Sequence, residues 1–546
     1  MNSERKYVET VKHVIYIAIT TLSLMISPWI IESHRYVNAM WLLFVAVGGY
    51  FFIVFGIASR NWMDIRGVFH GVWVFTVMLS SLQLAEYQEN WQIKTWLCIA
   101  GAYAMFQIGS TLGIVFGKRH TKKALSSFSK IKFGRISFSM HPERLFWVSL
   151  TITLIGLVCF IINVMIRGYI PAFSDDPNAY VKFYTRFHIF SVAATAVPGL
   201  CYYVINKQQV GIGKKIVMWG CIFYTTMLFP ILVVSRGTFI TAAISLTVSV
   251  FYLNKKKIWV LILCVAMIVG VYFGLSALRG YTDAQLKEFF EPKEIDIQTQ
   301  TGKTETTGDE EYTTGVTETE EQTTEVTETE EQTTEVTETE EQTTEVTETE
   351  EQTTEVTETE EQTTEVTETE EQTTKPEENE PTRVVFQLPA KLSFAYTYLT
   401  VSHDNFNEAV QNSTQYTYGL RQFAPFNVIL RSSFIEQKIN SGEYYLVRDH
   451  LNTTNLIGDA YYDLHEWGVL LLMFVWSFAF GIIQSFREEA QGAISLAVLG
   501  NAMTPVALCF FATWMSNFAI WLIWGTELLA AIAVFIQIAP RNEEEK

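Results

Sequence analysis

Apolar residues in this chain come in long blocks rather than in alternation. About twelve stretches of roughly 16 to 22 residues carry almost no charge, which is the length that crosses a bilayer as a helix. They run over residues 13–31, 38–58, 67–84, 95–116, 145–166, 189–205, 216–235, 238–253, 258–278, 467–486, 494–514 and 518–538. In hydrocarbon every backbone N–H and C=O must be satisfied within its own segment, so each block predicts a helix. The fold class that follows is all-α, a polytopic integral membrane protein with about twelve transmembrane helices.

The polar connections set the orientation, because Lys and Arg collect on the cytoplasmic side. The connection "GKRHTKKALSSFSKIKFGRISFSMHPER" carries eight Lys and Arg against one Glu, "NKQQVGIGKK" carries three Lys, and "NKKK" at 254–257 carries three more. With twelve spans, all three fall on the side of the N-terminus, so both termini are expected in the cytoplasm. The first apolar block follows basic residues and has no small-x-small cleavage site after it, which predicts an uncleaved first helix. Three regions result: 1–278 with nine spans and a smaller outer loop at 167–188, a large extracytoplasmic loop at 279–465, and 466–546 with three spans and a cytoplasmic tail.

Charge changes the picture in one place. Inside the large loop "VTETEEQTTE" recurs six times, with Val316, Val326, Val336, Val346, Val356 and Val366 marking the register and Lys375 ending the last copy. One apolar residue in ten cannot bury enough surface to offset chain entropy, so the acidic tract at about 300–381 is expected to be disordered. The whole chain is −19, and this tract is more acidic than that, so the remainder is mildly basic. The tract fits best an expansion tolerated in a loop, where insertions cost little, and otherwise a surface-exposed spacer, an antigenically variable tract or a weak cation binder.

The six cysteines, Cys98, Cys159, Cys201, Cys221, Cys264 and Cys509, all fall in apolar stretches. None has the spacing of a zinc site or a disulfide framework. There is no Walker-type phosphate loop, no Gly-x-Gly-x-x-Gly and no His-Glu-x-x-His, and no metal, cofactor or nucleic acid is implied. What the outer side does gather is arginine: Arg167 and Arg186 around the smaller loop, Arg236 in the tight turn between the seventh and eighth spans, Arg279 opening the large loop, and Arg421 and Arg431 within it. Positive charge outside runs against the usual bias. Guanidinium forks match phosphate oxygens and stay charged at any working pH, so Arg236, Arg279, Arg431, Arg421 and Arg186 are candidates to hold a lipid diphosphate. Each taken singly also fits an interfacial side chain or a structural ion pair.

A second cluster, Asp449, His450, Asp459, Asp463, His465 and Glu466, leads into the tenth span. Asp459 and His450 are the candidates for a general base, while Asp463 and Glu466 fit helix capping better. In "FSDDPNAY" the pair Asp175 and Asp176 reads as a helix start with Pro177 in its first turn, with ligation of a divalent metal as the less favoured alternative.

Three stretches resemble one family. "RGYIPAFSDDPNAYVKFYTRF" is similar to the Gly-Ile-Pro-Leu-Phe-Ser segment of the Wzy-type O-antigen and oligosaccharide repeat-unit polymerases, "VVSRGTF" lies at a span boundary as theirs does, and "TTNLIGDAYYDLHEWGVLLLMFVWSFAFGII" resembles their Tyr-x-Asp-Phe-Gly segment. Here the last reads Tyr461-Tyr462-Asp463-Leu464-His465-Glu466-Trp467-Gly468, a departure that bears on the local turn. "FAYTYLTVSHDNFNEAV" and "YTYGLRQFAPF" look like that family's large outer loop. The resemblance implies a glycosyltransferase of the outer face of the cytoplasmic membrane. Such an enzyme builds capsule or O-antigen by moving a glycan from undecaprenyl diphosphate onto the next lipid-linked unit. It also implies membrane lipids, a flippase and a chain-length regulator as partners. A lipid-linked oligosaccharide flippase is one alternative, although the internal repeats and mid-membrane charges of transporters are not read here. A ligase or acyltransferase on the same side, or a repeat-bearing surface-display protein, are others.

Overall fold

The computed structural model describes residues 3–58, 60–128, 132–133, 136–138, 141–174, 179–183, 185–254, 257–278, 390–440, 444–448, 451–490 and 492–538. The repeat tract, Arg279, Asp449, His450 and the Asp175–Asp176 pair lie outside the described residues. In chain order the described helices are α1 (Ser3–Phe52), α2 (Ile65–Ser81), α3 (Ile93–Phe128), α4 (Pro142–Arg167), α5 (Ala179–Lys182), α6 (Arg186–Ala193), α7 (Pro198–Lys207), α8 (Ile212–Phe223), α9 (Phe229–Val233), α10 (Arg236–Leu253) and α11 (Ile258–Leu278), followed by α12 (Ala390–Asn412), α13 (Leu420–Leu430), α14 (Ser433–Asn440), α15 (Gly458–Ala490), α16 (Ala493–Ala507) and α17 (Phe518–Phe535). Three short strands, β1 (Lys132–Phe133), β2 (Ile136–Phe138) and β3 (Ile536–Ile538), form an antiparallel sheet in that order, with Ser137 opposite Gln537. Among the described residues the regular secondary structure is helical apart from these few strand residues. Among the described residues, eight helical stretches are long and apolar enough to cross a membrane, and α2, α11 and α16 are shorter apolar helices.

Several spans bend where the sequence forces them to. α1 leaves helical geometry at His34 (φ −142°, ψ 54°), and its two arms fold back on each other. The Trp41 indole donates to Ser23 Oγ at 3.0 Å, and Tyr16 meets Phe52 with ring centroids 5.3 Å apart. One long helix therefore accommodates the first two apolar blocks. Between α8 and α9 the chain widens into a π turn at Tyr224–Leu228, just before Pro230. A proline has no N–H to give the preceding turn, and a wider turn absorbs that loss.

α3 and α15 form the central pair. Gly109, Gly113 and Gly117 repeat every fourth residue on α3, facing Ser477, Gly481 and Ser485 at the same spacing on α15. A Cβ at Gly113 would lie 2.1 Å from the Phe478 carbonyl oxygen. Small residues let the backbones touch, which is how helices associate where no hydrophobic force separates them from lipid. Ion pairs clasp both ends, Lys94–Glu466 at 2.6 Å and Lys118–Glu488 at 3.0 Å.

α12 stands outside the apolar blocks yet is sunk into the protein through a polar face. His403 is fully buried, with Nε2 3.0 Å from Thr76 Oγ1 and Nδ1 3.1 Å from Asn455 Nδ2. Asp404 accepts from the Trp91 indole and from Gln88, each at 2.9 Å. Asn405 receives Val447 N–H at 2.9 Å, and Asn407 accepts from Gln92 N–H and Thr95 Oγ1. Ser402 donates to the Phe510 carbonyl. One run, Ser402 to Asn407, thereby fastens α2, the α2–α3 connection, the segment leading into α15 and the one after α16 at a common end of the helix bundle. Arg236 belongs to that end, since its guanidinium reaches Tyr398 of α12.

The opposite end is closed by a buried bidentate pair. Arg66 Nε and Nη2 each donate to Asp64 at 2.9 Å, and Gln484 donates to the same carboxylate at 2.6 Å. Arg144 donates to the Ile536 carbonyl there.

One expectation is corrected. The sequence reading found no mid-membrane charge, but Glu527 sits in the middle of α17, 2% exposed, and accepts from Asn501 of α16 at 2.5 Å. A single acid among eighteen otherwise uncharged residues does not disturb an average taken over the span, so it passed unnoticed.

Candidate functional site

Among the described residues, Arg421 is the most enclosed of the arginines singled out from the sequence, 1% exposed in the first turn of α13. Its guanidinium carbon lies 4.1 Å from the ring centroids of both Tyr444 and Tyr462, so the planar cation is held between two phenol faces. Asp459 stands beside it, with Oδ1 3.8 Å from Nη1 and 3.4 Å from the Tyr444 hydroxyl. Burial raises the Tyr444 phenol above its usual range, and the Asp459 carboxylate adds to the rise. The phenol therefore stays a hydrogen-bond donor at physiological pH. A buried cation, a buried carboxylate and a partly exposed phenol donor thus meet in one place.

The first turn of α15 builds this arrangement. After Gly458–Asp463 the helix breaks at Leu464 and His465, and His465 takes a positive φ of 49°. The break folds the opening turn back on the long helix so tightly that a Cβ at Gly468 would come within 2.0 Å of the Ala460 carbonyl oxygen. Asp459, Tyr462 and Asp463 are thereby turned toward α13. The His465 ring is stacked between Tyr416 and Tyr461, at 4.1 and 4.8 Å, and its Nε2 makes no hydrogen bond among the described residues.

Arg236 is half-buried at the first residue of α10. Its Nη2 donates to the Tyr398 hydroxyl at 2.9 Å, and its guanidinium carbon lies 5.1 Å from that ring. Ser235 caps the helix by accepting Thr238 N–H at 3.3 Å. A cation at a helix N-terminus opposes the macrodipole, so two positive charges face the same space, a setting suited to an anion. The preceding residue, Val234, is held at φ 53°. A β-branched residue rarely adopts that conformation, and strain of this kind collects at functional turns.

These two arginines are connected through α12 and the segment after α16. Tyr398 stacks on Phe511 at 5.8 Å, and Leu456 N–H donates to the Cys509 carbonyl at 2.8 Å, two residues before α15 begins. The remaining candidates are placed differently. Arg431 is exposed at the C-cap of α13 with φ 50°, where a cation favours the helix dipole, and Arg186 is exposed at the start of α6. Arg279 and His450 lie outside the described residues. Asp463 does cap a helix, but a distant one, α13, and Glu466 is the partner of Lys94.

Sequence reasoning missed the polar run of α12 and the aromatic clamp of Tyr444 and Tyr462. The signal for the first was present, since "SHDNFN" puts five polar residues where an exposed loop helix would alternate polar and apolar faces. The second depends on two segments coming together in space. The chain matches no family model, no curated protein and no solved structure with which it was compared.

Proposed function

We propose that the protein is a polymerase of lipid-linked oligosaccharide repeat units, a glycosyltransferase of the Wzy type. In this reading about twelve spans cross the bacterial cytoplasmic membrane, both termini are cytoplasmic, and the Arg236 end faces outward. The observation that carries the reading is Arg421 held between Tyr444 and Tyr462 with Asp459 at 3.8 Å. Transfer from undecaprenyl diphosphate needs that combination of charges.

The acceptor hydroxyl oxygen bonds to the anomeric carbon of the growing glycan as that carbon's bond to the diphosphate oxygen breaks. The diphosphate leaves with the bonding electron pair, and Arg421 and Arg236 offset its growing charge. Asp459 takes the hydroxyl proton. Holding two lipid-anchored reactants together supplies much of the remaining rate by proximity. Tyr444, 49% exposed, is the group that covers the guanidinium, and a diphosphate reaches Arg421 when that ring swings aside.

The test is the length distribution of surface polysaccharide in cells carrying Arg236→Ala. The half-exposed side chain can be removed with little effect on folding, and single lipid-linked units without long chains are expected. Wild-type chain length at normal expression removes the assignment. Deleting residues 316–375 should leave polymerisation intact, whereas a surface-display protein would lose its function.

Glu527 favours a second reading, a transporter of the same lipid-linked oligosaccharide. Ionisable residues within spans often mark the path of an ion or substrate. In that case lipid-linked units would accumulate on the cytoplasmic side of the membrane.

A further inference from the structure

A cavity of about 310 Å³ opens at the Arg236 end, between the α1 turn and the α2–α3 connection. Trp29, Trp91 and Trp96 line it together with Glu32, Gln83 and Gln92. We propose that this cavity binds one sugar residue of a glycan.

The lining has the two chemistries that a sugar ring presents. A pyranose has an apolar C–H face and an edge of hydroxyls. Indoles offer broad, rigid, amphipathic surfaces, and carboxamides with a carboxylate offer both donors and acceptors. Trp91 and Trp96 form a corner, with centroids 4.9 Å apart and planes at 42°. Trp29, 59% exposed, also lines the cavity. The volume is at the small end of the range for small-ligand sites, suited to a ring rather than a long lipid tail.

The walls are fixed in place. Trp91 donates to buried Asp404 at 2.9 Å, Gln92 N–H donates to Asn407 at 3.0 Å, and Gln83 donates to Asn90 at 2.8 Å. A preformed wall loses little entropy when a ligand arrives. Lys94, in the same first turn of α3 as Trp96, pairs with Glu466 and lies 5.4 Å over the ring of Tyr461, the neighbour of Tyr462 in sequence. The sugar chemistry rests on the cavity alone. That the sugar belongs to a lipid-linked repeat unit rests on the polymerase reading.

Saturation-transfer NMR on the full-length protein in lipid nanodiscs tests this, with methyl glucoside, methyl galactoside and methyl N-acetylglucosaminide as probes. At least one should receive saturation at its ring protons. Trp29→Ala and Gln92→Ala, both at exposed side chains, should weaken that signal by about tenfold, the loss of one aromatic or polar contact. Gly220→Ala, where an added Cβ meets nothing within 4 Å, should leave it unchanged. The proposal is overturned if no glycoside is saturated, if the signal survives in the Trp29→Ala/Gln92→Ala double variant, or if hexanol displaces it as an apolar cleft would allow. Glycoside binding alongside wild-type polymer in Arg236→Ala would keep the pocket and remove the polymerase. The reverse pair of results would keep the polymerase and remove the pocket.

Discussion

Asp463 caps a helix that begins more than forty residues before it. Its carboxylate accepts Arg421 N–H at 3.1 Å and Gln422 N–H at 3.2 Å, and Thr417 Oγ1 donates to it at 2.6 Å. The first turn of α13, and so the guanidinium of Arg421, is held by the helix that also carries Asp459. Asp463→Ala leaves two backbone donors unpaired and should lower stability by about 1–2 kcal/mol. Glycan chains should shorten with it. Asp463→Asn retains an acceptor and should recover part of both losses. Thermal unfolding and chain-length gels report the two effects separately, and a loss of stability without shortening would make Asp463 structural only.

Arg421 makes a sharper demand on shape. Its contacts to Tyr444 and Tyr462 use the flat faces of the guanidinium, at 4.1 Å on each side. A lysine ammonium keeps the charge but can neither stack nor present two parallel donors. Arg421→Lys should therefore abolish long chains nearly as fully as Arg421→Gln, and both should keep the membrane expression of the unmodified protein. Substantial polymer in the lysine variant would show that charge alone suffices.

The helices were legible in the sequence, and the site was legible only in part. Length and lack of charge mark a candidate span, and each apolar block lies largely in helix even where Pro230 or His34 bends it, although only eight helical stretches among the described residues are long and apolar enough to cross a membrane. Asp459 and Arg421 could be named as candidates, but their meeting depends on the break at Leu464 and His465. That break exists because Gly468 permits contact with Ala460, a relation no periodicity displays. The run from Ser402 to Asn407 looks like solvent-facing sequence because hydropathy cannot register satisfied polar burial. Each of those side chains reaches a partner on another element.

Two neighbours on α12 should oppose each other as pH changes. Burial pushes Asp404 from its ordinary 3.8 up to about 7, against the hydrogen bonds from Trp91 and Gln88, and Glu408 adds to the rise. The unfolded chain releases that proton near pH 4 while the folded one keeps it, so the Asp404 contribution to stability falls as pH rises from about 4 to 7. Burial draws His403 from 6.5 down to about 3. Its contribution rises with pH over about 3 to 6.5, because only the unfolded chain takes up the proton there. The two cancel in part between pH 4 and 6.5. Asp404→Asn removes the first, so its unfolding temperature should climb with pH across that window more steeply than that of the unmodified protein. Parallel curves would mean that Asp404 ionises normally.

Glu527 separates the two functional readings. Its Oε2 and the Asn501 Oδ1 have no hydrogen-bond partner among the described residues. Glu527→Gln preserves the shape and the acceptor for Asn501 but removes the ionisable proton. A polymerase whose chemistry lies at the Arg236 end should keep its normal chain-length distribution in this variant. Lost polymer, with lipid-linked units trapped on the cytoplasmic side, would favour the transporter.

The α3–α15 contact allows the last prediction to be made from geometry. At Gly113 even an alanine methyl would sit 2.1 Å from the Phe478 carbonyl oxygen, and backbone on a packed helix cannot give way as a side-chain tip can. The helices must separate or tilt, at a cost of roughly 1–3 kcal/mol. At Gly220 of α8 an added Cβ meets nothing within 4 Å, so Gly220→Ala controls for the general effect of losing a glycine. Gly113→Ala should unfold at lower temperature than the control and shorten the glycan as well, since α15 carries both Asp459 and the cap of α13. Equal stability in the two variants would mean that α3 and α15 do not pack at backbone contact.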